Sequence, residues 1–159
     1  MGLTLATVAG AAIPEPVVVE VRFANLITVT ENNALQFGVL DEAITSAETV
    51  VISPAEPTSV TDGGGNVLGG TQAAAKLTVT ASVGVALSIL VGNISANTGY
   101  TLETFMCNYD GGTDTACESA YFPTAATTAT LFVGATLRGD DAAVPGVSNG
   151  SFDVTVIYQ

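Results

Sequence analysis

The chain has 159 residues, of which 48% are hydrophobic, so a single domain with a full hydrophobic core is expected. Fifteen acidic residues against three basic ones give a formal net charge of −12, which excludes nucleic acids and anionic lipid surfaces as partners because their phosphates would be repelled. The chain contains no His, which excludes imidazole general bases, imidazole metal ligands, and the Ser/His and Cys/His nucleophile arrangements.

The first twelve residues, MGLTLATVAGAA, form a small apolar run that ends in Ala9, Gly10 and Ala11. This ending is typical of a signal-peptidase site of the A-x-A kind. We therefore interpret residues 1–11 as the tail of an export signal, or otherwise as a mobile extension or an extra strand. No apolar run approaches the roughly 18 residues that a transmembrane helix needs, so we expect no membrane span.

Residues 17–23 predict a strand, because apolar side chains recur at every second position. The residues that share one face are Val17, Val19, Val21 and Phe23. Val18, Glu20 and Arg22 fall on the other face. Pro14 and Pro16 precede the segment and favour an extended entry.

The middle of the chain predicts a series of short strands separated by turns. These strands cover residues 26–30, 35–38, 49–53, 75–81, 85–91, 100–107 and 128–137. All six prolines lie between or before apolar runs, and no helix of ten or more residues is indicated. Gly84 predicts a tight turn that joins two of the strands. Residues 61–71 are a glycine-rich hairpin or loop that lacks the Lys and the following helix of a phosphate-binding loop.

Cys107 and Cys117 flank a loop that is rich in Asp and Gly, which predicts a local disulfide in an exported protein. Two cysteines are too few for a closed cysteine zinc site. Acidic residues in this loop and in a later turn are either solvated turn residues or ligands of Ca²⁺. They are Asp110, Asp114, Glu118, Asp140 and Asp141. Because neither group has a recognised ligand spacing, we predict no metal site.

The last ten residues, GSFDVTVIYQ, predict a half-buried strand with strict alternation. Its apolar face consists of Phe152, Val154, Val156 and Tyr158. No strand follows in this sequence, so we expect the free edge of this strand to need a partner. In total, eight to ten short strands indicate an all-β sandwich.

Four stretches carry a family resemblance, namely ALQFG at 34–38, AAAKLTVTAS at 73–82, ATLFVGATL at 129–137 and NGSFDVTVIYQ at 149–159. From about residue 17 to the C-terminus the sequence resembles a bacterial secreted domain family of unassigned function, which is related to spore coat protein U and to archaic chaperone-usher pilins. As in such pilins, the closing strand has a penultimate aromatic residue, Tyr158, and a glycine, Gly146, lies about a dozen residues earlier. The cysteine pair departs from the pilin pattern, since in many pilins it ties the first strand to the core.

The resemblance implies an immunoglobulin-like sandwich that lacks its last strand and is completed by a donor strand from a neighbouring subunit. Residues 12–25 would contain the donor strand, and residues 26–159 would form the incomplete sandwich. The implied partners are copies of the same chain in a head-to-tail polymer, together with a periplasmic chaperone and an outer-membrane usher. The implied location is a cell-surface filament outside the cell, reached through the periplasm.

Two other interpretations remain open from the residues. The strand at 17–23 can pair within its own chain, because alternation does not decide which chain supplies its partner, and the protein would then be a monomeric or modular surface adhesion domain. An enzyme is the third possibility, but nothing in the sequence fixes carboxylates such as Glu103 and Asp110 in a cleft. We therefore expect no enzymatic activity and no cofactor.

Overall fold

The computed structural model describes residues 21, 23–95, 98–146 and 148–159, and it shows the all-β sandwich that the sequence predicts. Within these ranges the strands are β1 (Thr28–Asn33), β2 (Val39–Leu40), β3 (Thr49–Ile52), β4 (Val60–Asp62), β5 (Val67–Gly69), β6 (Ala75–Thr80), β7 (Leu87–Ser95), β8 (Tyr100–Tyr109), β9 (Thr115–Ala116), β10 (Thr128–Gly139) and β11 (Ser151–Tyr158). The same ranges contain no helix that is long and apolar enough to cross a membrane.

The first layer of the sandwich is a seven-stranded antiparallel sheet built around β10. One side of β10 pairs first with β6 and then with β3, while its other side pairs with β8. Beyond β6 lies β1, which pairs with β6 alone among the strands described. This arrangement makes β1 one edge of the first layer.

The second layer has β7 at its centre. On one side β7 pairs antiparallel with β11, in a register that extends from Ser151 opposite Ser95 to Tyr158 opposite Leu87. On the other side it bonds to residues 117–125, where the Ile89 N–H donates to the Tyr121 carbonyl oxygen at 2.8 Å and the Tyr121 N–H donates back at 2.9 Å. In the described part of the chain, β11 is therefore the outer strand of this layer.

The core lies between the two layers and is formed by alternate residues of β6, β7, β8 and β10. Leu87, Ile89, Phe105, Leu131 and Val133 are completely buried. The predicted disulfide is confirmed: Cys107 of β8 is bonded to Cys117, and their Cα atoms are 5.8 Å apart. Because β8 and residues 117–125 both lie on the sides away from β1 and β11, the disulfide joins the two layers at the opposite side of the sandwich.

Some predicted elements differ from the structure. The strand predicted at 35–38 is displaced: Gln36 makes an isolated bridge to Ala73, and β2 begins three residues after Gln36, at Val39. Strands β6 and β7 are joined through a turn at Gly84, where φ is +76°, but they belong to different layers and do not form a hairpin. The glycine-rich segment is a loop whose flanking strands β4 and β5 pair with β3 and β2, not with each other. The predicted signal tail at 1–11 lies outside the described residues.

Candidate functional site

An open groove of about 1570 Å³ lies between β1 and β11, the two outer strands that face each other across the layers. One wall includes Val29 and Glu31 of β1, and the other includes residues 152–155 of β11. Core-facing side chains also line the groove, including Ala75, Leu77, Leu102 and Leu137. The sandwich is thus held together by the disulfide on one side and open on the other.

Backbone groups of β11 face this groove. The N–H groups of β7 residues Leu87, Ile89 and Val91 donate to carbonyl oxygens in the 117–125 segment, on the side away from β11. In an antiparallel ladder the alternate residues then bond to the neighbouring strand, so Ser88, Leu90 and Gly92 bond to β11. Their partners in the register are Ile157, Thr155 and Asp153 respectively. The backbone groups of the intervening residues of β11, which are Phe152, Val154 and Val156, are directed at the groove.

The same alternation applies to β1. The Ala81 N–H, directly after β6, donates to the Thr127 carbonyl oxygen, so the odd-numbered residues of β6 bond to β10 and the even-numbered ones to β1. The backbone groups of Val29 and Glu31 therefore face away from β6 and into the groove. Both walls present hydrogen-bonding groups to whatever lies between them.

The four predicted acceptor residues share one face of β11, and each of them is half-buried. All four pack against the core cluster, and the ring centroid of Phe152 lies 5.0 Å from that of Phe105. Phe152 and Val154 also line the groove, whereas Val156 and Tyr158 are not among the residues that line it. The apolar face of β11 packs on the core but stays half-buried, which is the exposure expected where no strand covers one edge of β11.

At the C-terminal end of β11, the hydroxyl group of Tyr158 bridges Asn25 and Ser82. This hydroxyl donates to the Asn25 carbonyl oxygen at 2.7 Å and accepts from the Ser82 N–H at 2.7 Å. The Asn25 N–H in turn donates to Ser82 Oγ at 2.6 Å. The groove itself is lined in part by exposed apolar side chains, namely Val39, Leu68 and Val144.

The predicted donor residues that the structure describes lie outside any strand. Val21 is 65% exposed and Phe23 is 91% exposed. Val17 and Val19 lie outside the described residues. The structure therefore brings the four acceptor residues together on one strand, and it leaves the two described donor residues uncovered.

The groove is lined by acidic residues and by no basic one in the described part of the chain. The acids are Glu31, Asp41, Glu42 and Asp153. Two of the three basic residues are paired elsewhere: Arg138 Nε donates to Glu103 Oε1 at 2.8 Å, and Lys76 pairs with Glu56. Asp153 is exposed, and its Oδ2 accepts from Asn93 Nδ2 at 2.7 Å.

A family model described as "Domain of unknown function (DUF4402)" matches residues 27–158, which is most of the chain. The chain belongs to the DUF4402 family. A comparison with curated proteins and with solved structures gives no match. The DUF4402 match contains β1 and β11, so both walls of the groove belong to the family domain, whereas residues 17–23 precede it.

Four of the five acidic residues predicted as turn residues or Ca²⁺ ligands accept hydrogen bonds from the protein, and Asp114 Oδ1 accepts from Asn108 Nδ2 at 2.7 Å. Glu118 Oε1 accepts from the Thr104 N–H, and Asp140 accepts from the backbone N–H groups of Gly99 and Ala142. Hydrogen bonds from Ser46 lower the pKa of Asp141 below its ordinary value. Among the residues that the structure describes, no group of three or more Cys, Asp or Glu side chains is placed to hold a metal ion.

Sequence reasoning missed the β1 wall of the groove. The sequence of β1 is TVTENN, and all six residues are exposed, so its hydrophobic pattern gives no signal that Val29 and Glu31 face an opening in the core. The strand register shows that Val29 and Glu31 lie on the core-facing side of β1. Val29 lies opposite Val79 and Glu31 opposite Leu77, and both of these β6 residues are buried.

Proposed function

We propose that this protein is the structural subunit of an extracellular filament that polymerises head to tail by donor-strand complementation. The observation that carries the proposal is the groove between β1 and β11, where two strand edges present their backbone groups on either side of half-buried apolar side chains. A sheet edge of this kind is a template for an added strand.

The proposed occupant of the groove is the segment 17–23 of a neighbouring subunit. Val21 and Phe23 protrude from the body as exposed apolar side chains, which are unfavourable in water and are covered when they enter an apolar groove. The segment alternates with the same period as β11, so one of its faces can complete the core while the other stays at the surface.

Burial of the donor side chains supplies a driving force for this contact. Covering each of Val17, Val19, Val21 and Phe23 contributes roughly 1.5 to 3 kcal/mol, or about 6 to 12 kcal/mol gross. Hydrogen bonds to the free backbone groups of β11 add register, and they satisfy groups that would otherwise depend on water. Association costs and side-chain ordering offset part of this gain.

Donor and acceptor are different segments of the chain, so the contact between two copies is head to tail and can repeat along a fibre. An unfilled groove is itself prone to non-specific pairing, which supports the proposal that a periplasmic chaperone covers it until an outer-membrane usher brings the next subunit. The disulfide between Cys107 and Cys117 supports export, because such bonds persist in oxidising compartments.

The test replaces Val21 with Asp in the full chain. A charge in the apolar groove is costly, so the segment should stay out of it, and negative-stain microscopy should show no filaments. Denaturant unfolding of the isolated monomer should be the same as for the parent chain, because the described contacts of Val21 include none in its own core.

Two control variants should assemble normally. Phe122→Asp introduces the same charge at an exposed apolar residue that does not line the groove, and Glu20→Gln removes a charge from the outer face of the donor segment. Filaments formed by Val21→Asp would contradict the proposal. A Val21→Asp monomer that is clearly less stable than the parent would place the segment in its own core, as expected for a monomeric adhesion domain.

A further inference from the structure

We infer that the donor segment enters the groove antiparallel to β11 in a single register, in which Arg22 of one subunit lies opposite Asp153 of the next. This inference rests on the proposed function, and it adds the direction of the strand, its pairing and the charge pair that selects them. Arg22 is the single basic residue of residues 12–25, and Asp153 is an exposed acid on the outer face of β11.

The register is the one in which both faces of the two strands match. On the inner face it places Phe23 opposite Phe152, Val21 opposite Val154, Val19 opposite Val156 and Val17 opposite Tyr158. On the outer face it places Arg22 opposite Asp153, Glu20 opposite Thr155 and Val18 opposite Ile157. Ile157 is 55% exposed in the structure, so its apolar side chain gains an apolar neighbour.

Other pairings are worse for identifiable reasons. An antiparallel shift of two residues in one direction places Glu20 opposite Asp153, and like charges directly opposite are destabilising. The same shift in the other direction places Arg22 opposite Thr155 and the polar Asn25 opposite Phe152, so the charge pair is lost and the inner face is mismatched. The parallel arrangement that pairs Val17 with Phe152 places Val18 opposite Asp153 and Arg22 opposite Ile157. A shift of one residue turns the apolar face outward.

The backbone geometry of β11 favours a close contact between Arg22 and Asp153. The backbone groups of Phe152 and Val154 face the groove, so these residues form the hydrogen-bonded pairs with the donor strand. Asp153 then belongs to a non-hydrogen-bonded pair, in which the Cα atoms are about 4.5 Å apart and the side chains are closer. Its Oδ2 accepts from Asn93, and the carboxylate has further acceptor capacity for a guanidinium group.

This register requires a second copy of the chain. Asn25 is bonded to Tyr158 at the C-terminal end of β11, whereas the register places Phe23 opposite Phe152, six residues or about 20 Å along β11. The two residues from Phe23 to Asn25 span at most about 7 Å, so the subunit's own segment cannot reach that position. It can enter its own groove parallel to β11, which is the direction with the mismatched outer face.

Cross-linking of the full chain tests the register. The double variant Arg22→Cys/Asp153→Cys should form intermolecular disulfides on mild oxidation, because the expected Cα separation fits a disulfide. A non-reducing gel should show a ladder of covalent multimers. Val18→Cys/Asp153→Cys reports the parallel arrangement, and Glu20→Cys/Asp153→Cys reports the shift of two residues; both should remain mostly uncross-linked.

Charge reversal tests the pair itself. Arg22→Glu and Asp153→Arg should each raise the critical concentration for assembly, by roughly two- to fivefold, because each places like charges opposite one another. The double variant Arg22→Glu/Asp153→Arg should return the critical concentration towards that of the parent, which a merely additive effect would not do.

The outcomes separate this inference from the proposed function. A ladder from Val18→Cys/Asp153→Cys or Glu20→Cys/Asp153→Cys, or filaments with no cross-link from any of the three, overturns the register while leaving strand donation standing. An intramolecular cross-link in Val18→Cys/Asp153→Cys overturns the requirement for a second copy. The absence of both filaments and cross-links overturns the inference together with the proposed function.

Discussion

Gly134 lies where β10 changes its partner on one side from β6 to β3. A Cβ atom at this position would lie 2.1 Å from the Ile52 carbonyl oxygen and 2.8 Å from the Pro54 nitrogen. Both are backbone atoms, so they cannot rotate away as a flexible side chain can. The close approach of β3 to β10 therefore depends on the absence of a side chain at one residue.

We expect Gly134→Ala to lower the free energy of unfolding by about 1 to 3 kcal/mol, since β3 must shift to accommodate the methyl group. Gly92→Ala is the matched control, because a Cβ at Gly92 in β7 meets no atom within 4 Å. That change should stay within about 0.5 kcal/mol of the parent. Urea denaturation of both variants measures the difference, and equal stabilities would show that the two strands are not in the close contact described.

Glu31 is another residue whose surroundings determine its role. It lies on the groove side of β1, opposite the buried Leu77, where alternation alone would place an apolar residue. An inward-pointing charge on an edge strand discourages indiscriminate pairing with other strands. In the proposed assembly, this charge would oppose non-specific pairing at the groove while leaving it available to the donor segment.

At the scale of elements, the strands with strict alternation were predictable from the sequence. β6 and β11 follow a period of two throughout, so the pattern of hydrophobicity assigns each residue to a face. The two-residue β2 was not predictable, because it exists through its pairing with β5 and has no periodicity of its own.

For the same reason, only one wall of the candidate site was predictable from the sequence. The β11 wall is encoded in the alternation of residues 152–158, whereas the β1 wall depends on which strand lies across the sandwich from β11. That arrangement is set by tertiary structure. β6 and β7 are consecutive in the chain yet lie in different layers, and β6 pairs with the edge strand β1 whereas β7 pairs with the edge strand β11. The missing neighbour of β11 was an expectation from the sequence, but the groove beside β11 required the structure.

The disulfide holds together the side of the sandwich opposite the groove. We expect Cys107→Ala/Cys117→Ala to lower the free energy of unfolding by about 3 kcal/mol, because the constraint on the unfolded loop is lost. Urea unfolding of the parent with and without reductant should reproduce that loss. Reductant should leave the double variant unchanged, and a double variant as stable as the oxidised parent would contradict this role.

For the whole molecule, the inferred register gives the filament a direction. In that register the donor strand runs from Tyr158 towards Phe152, so the body of the donating subunit would lie beyond the N-terminal end of β11. Val39, Leu68 and Val144 line the groove and are exposed. Part of the apolar surface that an isolated molecule leaves exposed thus belongs to the groove that the neighbour would enter.

The net charge of the molecule acts against the same assembly. Each subunit carries a formal charge of −12, so two copies repel one another over a distance set by the ionic strength. The screening length falls from about 30 Å at 0.01 M salt to about 10 Å at 0.1 M. The attraction between Arg22 and Asp153 acts at short range, within the seated strand, and does not offset repulsion during the approach.

We therefore expect the rate of filament growth, followed by light scattering, to rise when sodium chloride is increased from about 0.01 M to about 0.1 M, because screening weakens subunit repulsion more than it weakens a seated ion pair. Val21→Asp under the same conditions measures scattering from non-specific aggregation, and sucrose controls for changes in the solvent that do not screen charge. A growth rate that falls with added salt would mean that attraction between the donor segment and the acidic groove, and not the repulsion between whole subunits, controls the encounter.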